Sequence, residues 1–181
     1  MVPELRGDRV HLRELTEADV PAWFARATDA ESAALAGDPI PESIEAGFVW
    51  LARNRERFRQ QTGIRWSIVP NGSAESVGSI GLAITSKDER IAELGVVIGR
   101  AWWGKGLGTA AAQLVARYAV DALNLAEIRA ELLQSNMASR RLLEKAGFRF
   151  EAVIPDFDQS DAGSVDGLLY VLRGPDGTET P

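Results

Sequence analysis

The feature that most constrains the fold is a change of hydrophobic period near residue 100. Arg65 to Val69, Ser76 to Ile84 and Ile91 to Ile98 read as successive strands, joined by the turn Pro70-Asn-Gly72 and the charged loop Ser86-Lys-Asp-Glu-Arg90. Parallel neighbours need a crossover of roughly a dozen residues or more, and neither connection is that long, so the three segments predict an antiparallel meander. From Thr109 to Leu123 the spacing turns helical, with Leu114, Val115, Tyr118, Ala119 and Ala122 on one face. Glu127 to Leu133 alternates as a strand, Asn136 to Ala146 is helical with Gly147 as its C-terminal cap, and Phe148 to Ile154 is strand-like. Strand, helix, strand predicts a crossover unit.

Ahead of the meander, residues 9 to 13 alternate like a strand, and Thr16-Glu-Ala-Asp19 opens a helix carrying Val20, Trp23 and Phe24. After Gly37-Asp-Pro-Ile-Pro41 a second, amphipathic helix is expected, with Phe48, Leu51, Arg55 and Phe58 at spacings of three and four and a solvated basic outer face. Asp156 to Gly167 reads as a loop, Leu168 to Arg173 as a last strand, and 174 to 181 as a frayed tail. The sum is a single α/β domain over residues 5 to 173, with a mixed sheet whose first half is antiparallel and whose second half gains a crossover.

The 26 acidic against 20 basic residues give a net charge of −6, which argues against nucleic-acid binding through phosphate neutralisation. With no cysteine and only His11, neither thiolate chemistry nor a histidine metal site is available, and no metal is expected. Charges near the start and the lack of a long apolar window predict neither signal peptide nor membrane span, so the cytoplasm is the expected location. Chemistry is left to carboxylates, hydroxyls and backbone.

The densest motif is Arg100-Ala-Trp-Trp-Gly-Lys-Gly-Leu-Gly-Thr109, a glycine loop between strand and helix. Unobstructed amides converging with a helix N-terminus suit a phosphate or pyrophosphate, and Lys105 adds a point charge. A nucleoside-triphosphate loop would need Lys-Ser or Lys-Thr after its last glycine, and Gly108 is followed by Thr109 and Ala110. A dinucleotide fingerprint can be set as Gly106-x-Gly108-x-x-Ala111 with Glu131 for the ribose, but that turn belongs directly after its strand in a first βαβ unit. Here several residues separate Ile98 from Gly106, and a meander comes first.

Three stretches in order, Glu93-Leu-Gly-Val-Val-Ile98, Trp103-Gly-Lys-Gly-Leu-Gly-Thr109 and Asn136-Met-Ala-Ser-Arg-Arg-Leu-Leu-Glu-Lys-Ala-Gly-Phe148, resemble the GNAT superfamily of N-acetyltransferases, in particular its RimJ/RimL-like branch. Leu12-Arg-Glu-Leu-Thr-Glu-Ala-Asp19 resembles the family's opening strand and helix. The resemblance implies a mostly antiparallel mixed sheet with helices on both faces, acetyl-CoA as co-substrate, a small-molecule or peptide amine as acceptor, and admits a homodimer. It implies that the amides of Trp103, Gly104, Lys105, Gly106, Leu107, Gly108 and Thr109 hold the pyrophosphate. Backbone groups of Val96 and Ile98 would pair with the pantetheine arm. Two positions depart from the pattern: Trp103 stands where the superfamily often has Gln or Arg, and Ala110 where the branch usually has Glu.

For the reaction the resemblance implies Glu93 as base, directly or through water, because an amine with a pKa near 8 to 10.4 must lose a proton at neutral pH. The competing reading is a solvent-facing strand glutamate. The amide of Val96 or Val97 is the candidate oxyanion donor. Asn136 reads as an N-cap, and the resemblance adds a contact to the pantetheine arm. Ser139 is the candidate donor to the departing thiolate, against a plain first-turn hydroxyl. Arg140 and Arg141 read either as phosphate contacts or as surface charge near Glu144, and Trp102 and Trp103 as packing anchors. A non-catalytic acyl-CoA-binding module is the second class of function, and it leaves Glu93 idle.

Overall fold

A computed structural model describes residues 1–36, 39–160 and 163–175. The strands are β1 (Leu5–Arg6), β2 (Val10–Glu14), β3 (Gly63–Pro70), β4 (Gly78–Ser86), β5 (Ile91–Ile98), β6 (Glu127–Leu133), β7 (Arg149–Ser160) and β8 (Gly163–Arg173), with buried and open positions alternating most cleanly in β6. The helices are α1 (Val20–Ala27), α2 (Ala30–Ala36), α3 (Glu45–Arg59), α4 (Leu107–Asp121) and α5 (Met137–Lys145). All eight strands form one sheet in the order β1-β2-β3-β4-β5-β6-β8-β7. Every neighbouring pair is antiparallel except β5 with β6, where α4 supplies the crossover that a parallel pair requires. The unit β6-α5-β7 also runs strand to parallel strand, but β8 lies between them.

The two sheet faces differ in chemistry. Paired positions share a face, so Leu12, Ile68, Ile80, Leu94 and Ile128 stand on the side of α4, where they pack with Trp66, Ala111 and Val115. Full burial of each aliphatic side chain there contributes about 1.5–3 kcal/mol before entropy is counted. On the opposite face, toward α1 and α3, stand Arg13, Arg65, Ser67, Ser79 and Glu93. This polar face positions the candidate chemistry.

Three expectations are corrected. In α3 the inward residues are Gly47 and Leu51, with Phe58 half-buried, while Phe48 is 46% exposed and Arg55 points to solvent. A Cβ on Gly47 would lie 2.6 Å from Val20 Cγ1 and 2.9 Å from Trp23 Cε3, so the bare glycine lets α3 approach α1 and sets its rotation. The expected loop from Asp156 to Gly167 is instead the far end of the β7–β8 hairpin, with Asp158 opposite Val165. Its polar residues suggested a loop, but a ladder is held by backbone groups and tolerates them; the register shifts between Ile154 and Asp158, where Asp156 takes φ +55°. Asp161 falls outside the described residues. Fraying does not begin at Gly174, which is buried and donates its N–H to the Ala126 carbonyl at 2.9 Å; residues 176–181 lie outside the described residues.

Candidate active site

The parallel pair β5–β6 lasts three positions, Ile91↔Glu127 to Glu93↔Arg129, after which β6 continues only with β8. Beyond Glu93 the edge of β5 therefore opens into a gap. Gly99 N–H donates to the Val77 carbonyl at 2.8 Å, and a Cβ on Gly78 would overlap the Val97 carbonyl oxygen. Odd-numbered backbone groups of β5 thus turn toward β4, and the alternation turns those of Leu94, Val96 and Ile98 toward the gap. Of the two candidate oxyanion donors, Val96 faces the opening, whereas Val97 is directed at β4.

At the wide end of the gap lies the glycine loop. Gly104 and Gly106 both sit at φ +72°, a conformation that costs any residue with a Cβ. Gly106 caps α4, whose first helical bond runs from Ala110 N–H to the Gly106 carbonyl at 3.1 Å. The amides from Gly104 to Thr109 consequently find no acceptor among the described residues, and they sit where the helix dipole favours an anion. Trp103 anchors the loop by donating its indole N–H to the Ile98 carbonyl at 2.7 Å, which leaves that oxygen a second lone pair. Lys105 Nζ rests 4.4 Å from the Trp102 ring centroid.

Across the gap, α5 presents its N-terminus. Buried Asn136 is the N-cap: its Oδ1 accepts from Ser139 N–H at 3.0 Å, and its Nδ2 donates to the Leu35 carbonyl of α2 at 3.3 Å. The cap reading therefore holds, and the same side chain ties α2 to the site. The Ser139 hydroxyl is half-buried on the first turn. Arg140 bonds Glu144 at 3.0 Å as a surface pair, and Arg141 is exposed.

Glu93 occupies the last paired position before the strands part, with its side chain on the α1–α3 face. It lines a cavity of about 250 Å³ together with Asn54, Arg57, Arg65, Ala83 and Gly95. Its carboxyl is held above the ordinary range, first by partial desolvation and then by the negative charge of Glu131. A raised carboxylate is a better proton acceptor near neutrality, the property asked of a general base.

Sequence reasoning missed Arg9. From the position just before β2 its Nη2 donates to the Lys105 carbonyl at 2.9 Å, placing a cation beside Gly106. The partners are 96 residues apart, so no local spacing could have signalled the contact.

The sheet is thus opened at a single parallel pair, with an amide loop and a helix N-terminus at the wide end. The family described as Acetyltransferase (GNAT) domain matches residues 9–149, and the chain belongs to it. It is 31% identical over 175 residues to the uncharacterized N-acetyltransferase YoaA of Bacillus subtilis (strain 168), spanning 97% of this chain and 99% of that protein. Among solved structures, a GNAT-family acetyltransferase from Bacillus anthracis superposes with a TM-score of 0.83 at 20% identity, covering 94% of this chain and 98% of that one. Mycobacterium smegmatis RimJ, in complex with CoA-disulfide, gives 0.79 at 24% identity over 95% and 86% of the two chains. The protein is an N-acetyltransferase that moves an acetyl group from acetyl-CoA to an amine.

Proposed function

We propose that the acceptor is a primary amine, of a peptide N-terminus or a small molecule, and that its nitrogen attacks the thioester directly. The observation that carries this reading is the parting of β6 from β5 just past Glu93, next to the amide loop that opens α4. In this reading the amides of Gly104 to Thr109, with Trp103 shaping the loop, receive the pyrophosphate. Val96 and Ile98 pair with the pantetheine arm beside Asn136, and Val96 N–H donates to the oxyanion. The nitrogen–carbon bond forms as the carbon–sulfur bond breaks. Glu93 takes the nitrogen's proton, directly or through water, and the Ser139 hydroxyl donates a hydrogen bond to the departing thiolate and relays it a proton from water.

The RimJ/RimL-like motifs and the RimJ likeness support a place in that branch. Relatives of the same fold differ in what they hold: the microcin C7 self-immunity acetyltransferase MccE is in complex with acetyl-CoA and AMP, and Vibrio cholerae spermidine N-acetyltransferase with CoA and spermine. Coenzyme A is the shared ligand, which supports reading the gap as its seat and the polar face as the acceptor's.

Glu93→Gln separates catalysis from mere binding of acyl-CoA. Acetyl-CoA affinity is expected to hold while kcat falls about 10²–10⁴-fold, the usual contribution of a positioned base. The rise of kcat with pH through the raised carboxyl should vanish as well. Unchanged turnover in the variant would remove Glu93 from the mechanism.

A further inference from the structure

The turn between β1 and β2 holds Arg9 in one place beside the glycine loop. Asn71, in the turn between β3 and β4, donates its backbone N–H to the Arg9 carbonyl and its Nδ2 to the Gly7 carbonyl, both at 2.9 Å. Gly7 N–H donates in turn to the carbonyl of fully buried Val10 at 3.0 Å. A Cβ on Gly7 would stand 3.0 Å from Leu114 Cδ1, so the bare glycine lets this turn lie against α4. From that support the exposed Arg9 side chain reaches the loop that opens α4, where its Nη2 donates to the Lys105 carbonyl at 2.9 Å. Among the described residues the guanidinium makes no ion pair with a carboxylate, so the loop carbonyl is its partner.

That contact falls on the softest link of the loop. The Lys105 carbonyl shares its peptide plane with Gly106 N–H, and in a planar trans peptide the two point to opposite sides. Rotating this plane reverses both by changing ψ at Lys105 and φ at Gly106, and glycine accepts either sign of φ about equally. The loop backbone by itself therefore leaves open which way Gly106 N–H points. Arg9 closes the choice: it holds the carbonyl on its own side and so turns Gly106 N–H to the other, with φ at +72°. A left-handed residue followed by helical ones gathers successive amides into one concave anion site, and here those amides belong to Gly106, Leu107 and Gly108. A guanidinium on the carbonyl also polarises the peptide, which makes its N–H a stronger donor.

We propose that Arg9 is a positioning residue of the coenzyme-A seat: through the Lys105 carbonyl it aims and strengthens Gly106 N–H as a donor to the pyrophosphate, without touching a phosphate itself. The inference rests on the coenzyme-A reading above and adds to it a residue 96 positions from its partner in the loop. Because carbonyl and N–H point apart, Arg9 and the anion stand on different sides of this peptide. Lys105 does not take over the role from within the loop, since its Nζ is turned to the Trp102 ring.

The test is calorimetric binding of CoA and of 3′-dephospho-CoA to the full chain, as wild type, Arg9→Met and Arg9→Lys, read together with the amide proton–nitrogen cross-peak of Gly106. The side chain is exposed, so both variants should keep the wild-type melting temperature. Arg9→Met is expected to weaken CoA and 3′-dephospho-CoA alike by about tenfold, the lower end of what a hydrogen bond to a charged group contributes. The Gly106 cross-peak should move in this variant before any ligand is added, and Arg9→Lys should recover part of both effects. Unchanged affinity, or a Gly106 signal that stays where it was, overturns the proposal. A loss seen with CoA but not with 3′-dephospho-CoA would put Arg9 on the 3′-phosphate and overturn the positioning role. Failure of the wild type to bind CoA at all would overturn the seat itself, and this inference with it.

Discussion

Asp19 and Glu93 stand on the same side of the sheet and are shifted in opposite directions. Burial alone would raise Asp19, but hydrogen bonds from the Arg13 guanidinium and from Thr16 N–H, each at 2.8 Å, together hold it below the usual range. Among the described residues Glu93 has no comparable set of donors, so desolvation and Glu131 prevail. The first carboxylate fastens α1 to β2; the second holds a proton more tightly than an ordinary glutamate. Asp19→Asn should cost roughly 2–3 kcal/mol in urea unfolding at pH 7, because it leaves the Arg13 charge uncompensated. The pH dependence has a definite sign. The unfolded chain binds a proton at Asp19 more tightly than the folded one, so the wild-type advantage over the variant is complete above the ordinary aspartate range. It fades as pH falls through the depressed folded value. An advantage that grew toward low pH would contradict the assignment.

The start of α4 shows why glycines recur from 104 to 108. Gly104 and Gly106 supply left-handed backbone, while Gly108 supplies clearance, since a Cβ there would stand 2.6 Å from Leu142 Cδ1 and 3.3 Å from Ile98 Cγ1. That packing brings α4, α5 and β5 together at the gap. Gly106→Ala should lose about 1–2 kcal/mol from the left-handed strain. It should also weaken acetyl-CoA binding in calorimetry, because the new Cβ sits 3.0 Å from Arg9 Nη1 and displaces the guanidinium that donates to the Lys105 carbonyl of the loop. Gly72→Ala is the matched control. It carries the same strain at φ +81° with nothing within 4 Å, and should lose stability but no affinity. A loop variant that binds acetyl-CoA as tightly as the wild type would mean that these amides do not hold it.

At the scale of the whole molecule, the meander and the helix after residue 107 were legible because buried faces impose their period on the sequence: Ile80 and Leu82 alternate on β4, and Ala111, Val115 and Ala119 recur along α4. The far end of the β7–β8 hairpin was not, because its residues answer to the backbone ladder rather than to a core. The loop and Asn136 could be read locally, since capping and positive φ are demands on single positions. The gap between β5 and β6 and the reach of Arg9 to Lys105 depend on contacts between distant segments. Sheet register, not spacing, reveals them. In the function proposed above, the gap and its amide loop form one coenzyme-A seat. The most direct test is a thermal-shift titration of the full chain with acetyl-CoA, CoA and NAD side by side. At 100 times its dissociation constant a ligand adds about 2.7 kcal/mol, roughly 5–10 °C for a chain of this size. Acetyl-CoA and CoA should both give that rise and NAD none; a rise with NAD alone, or with no ligand, would contradict the account.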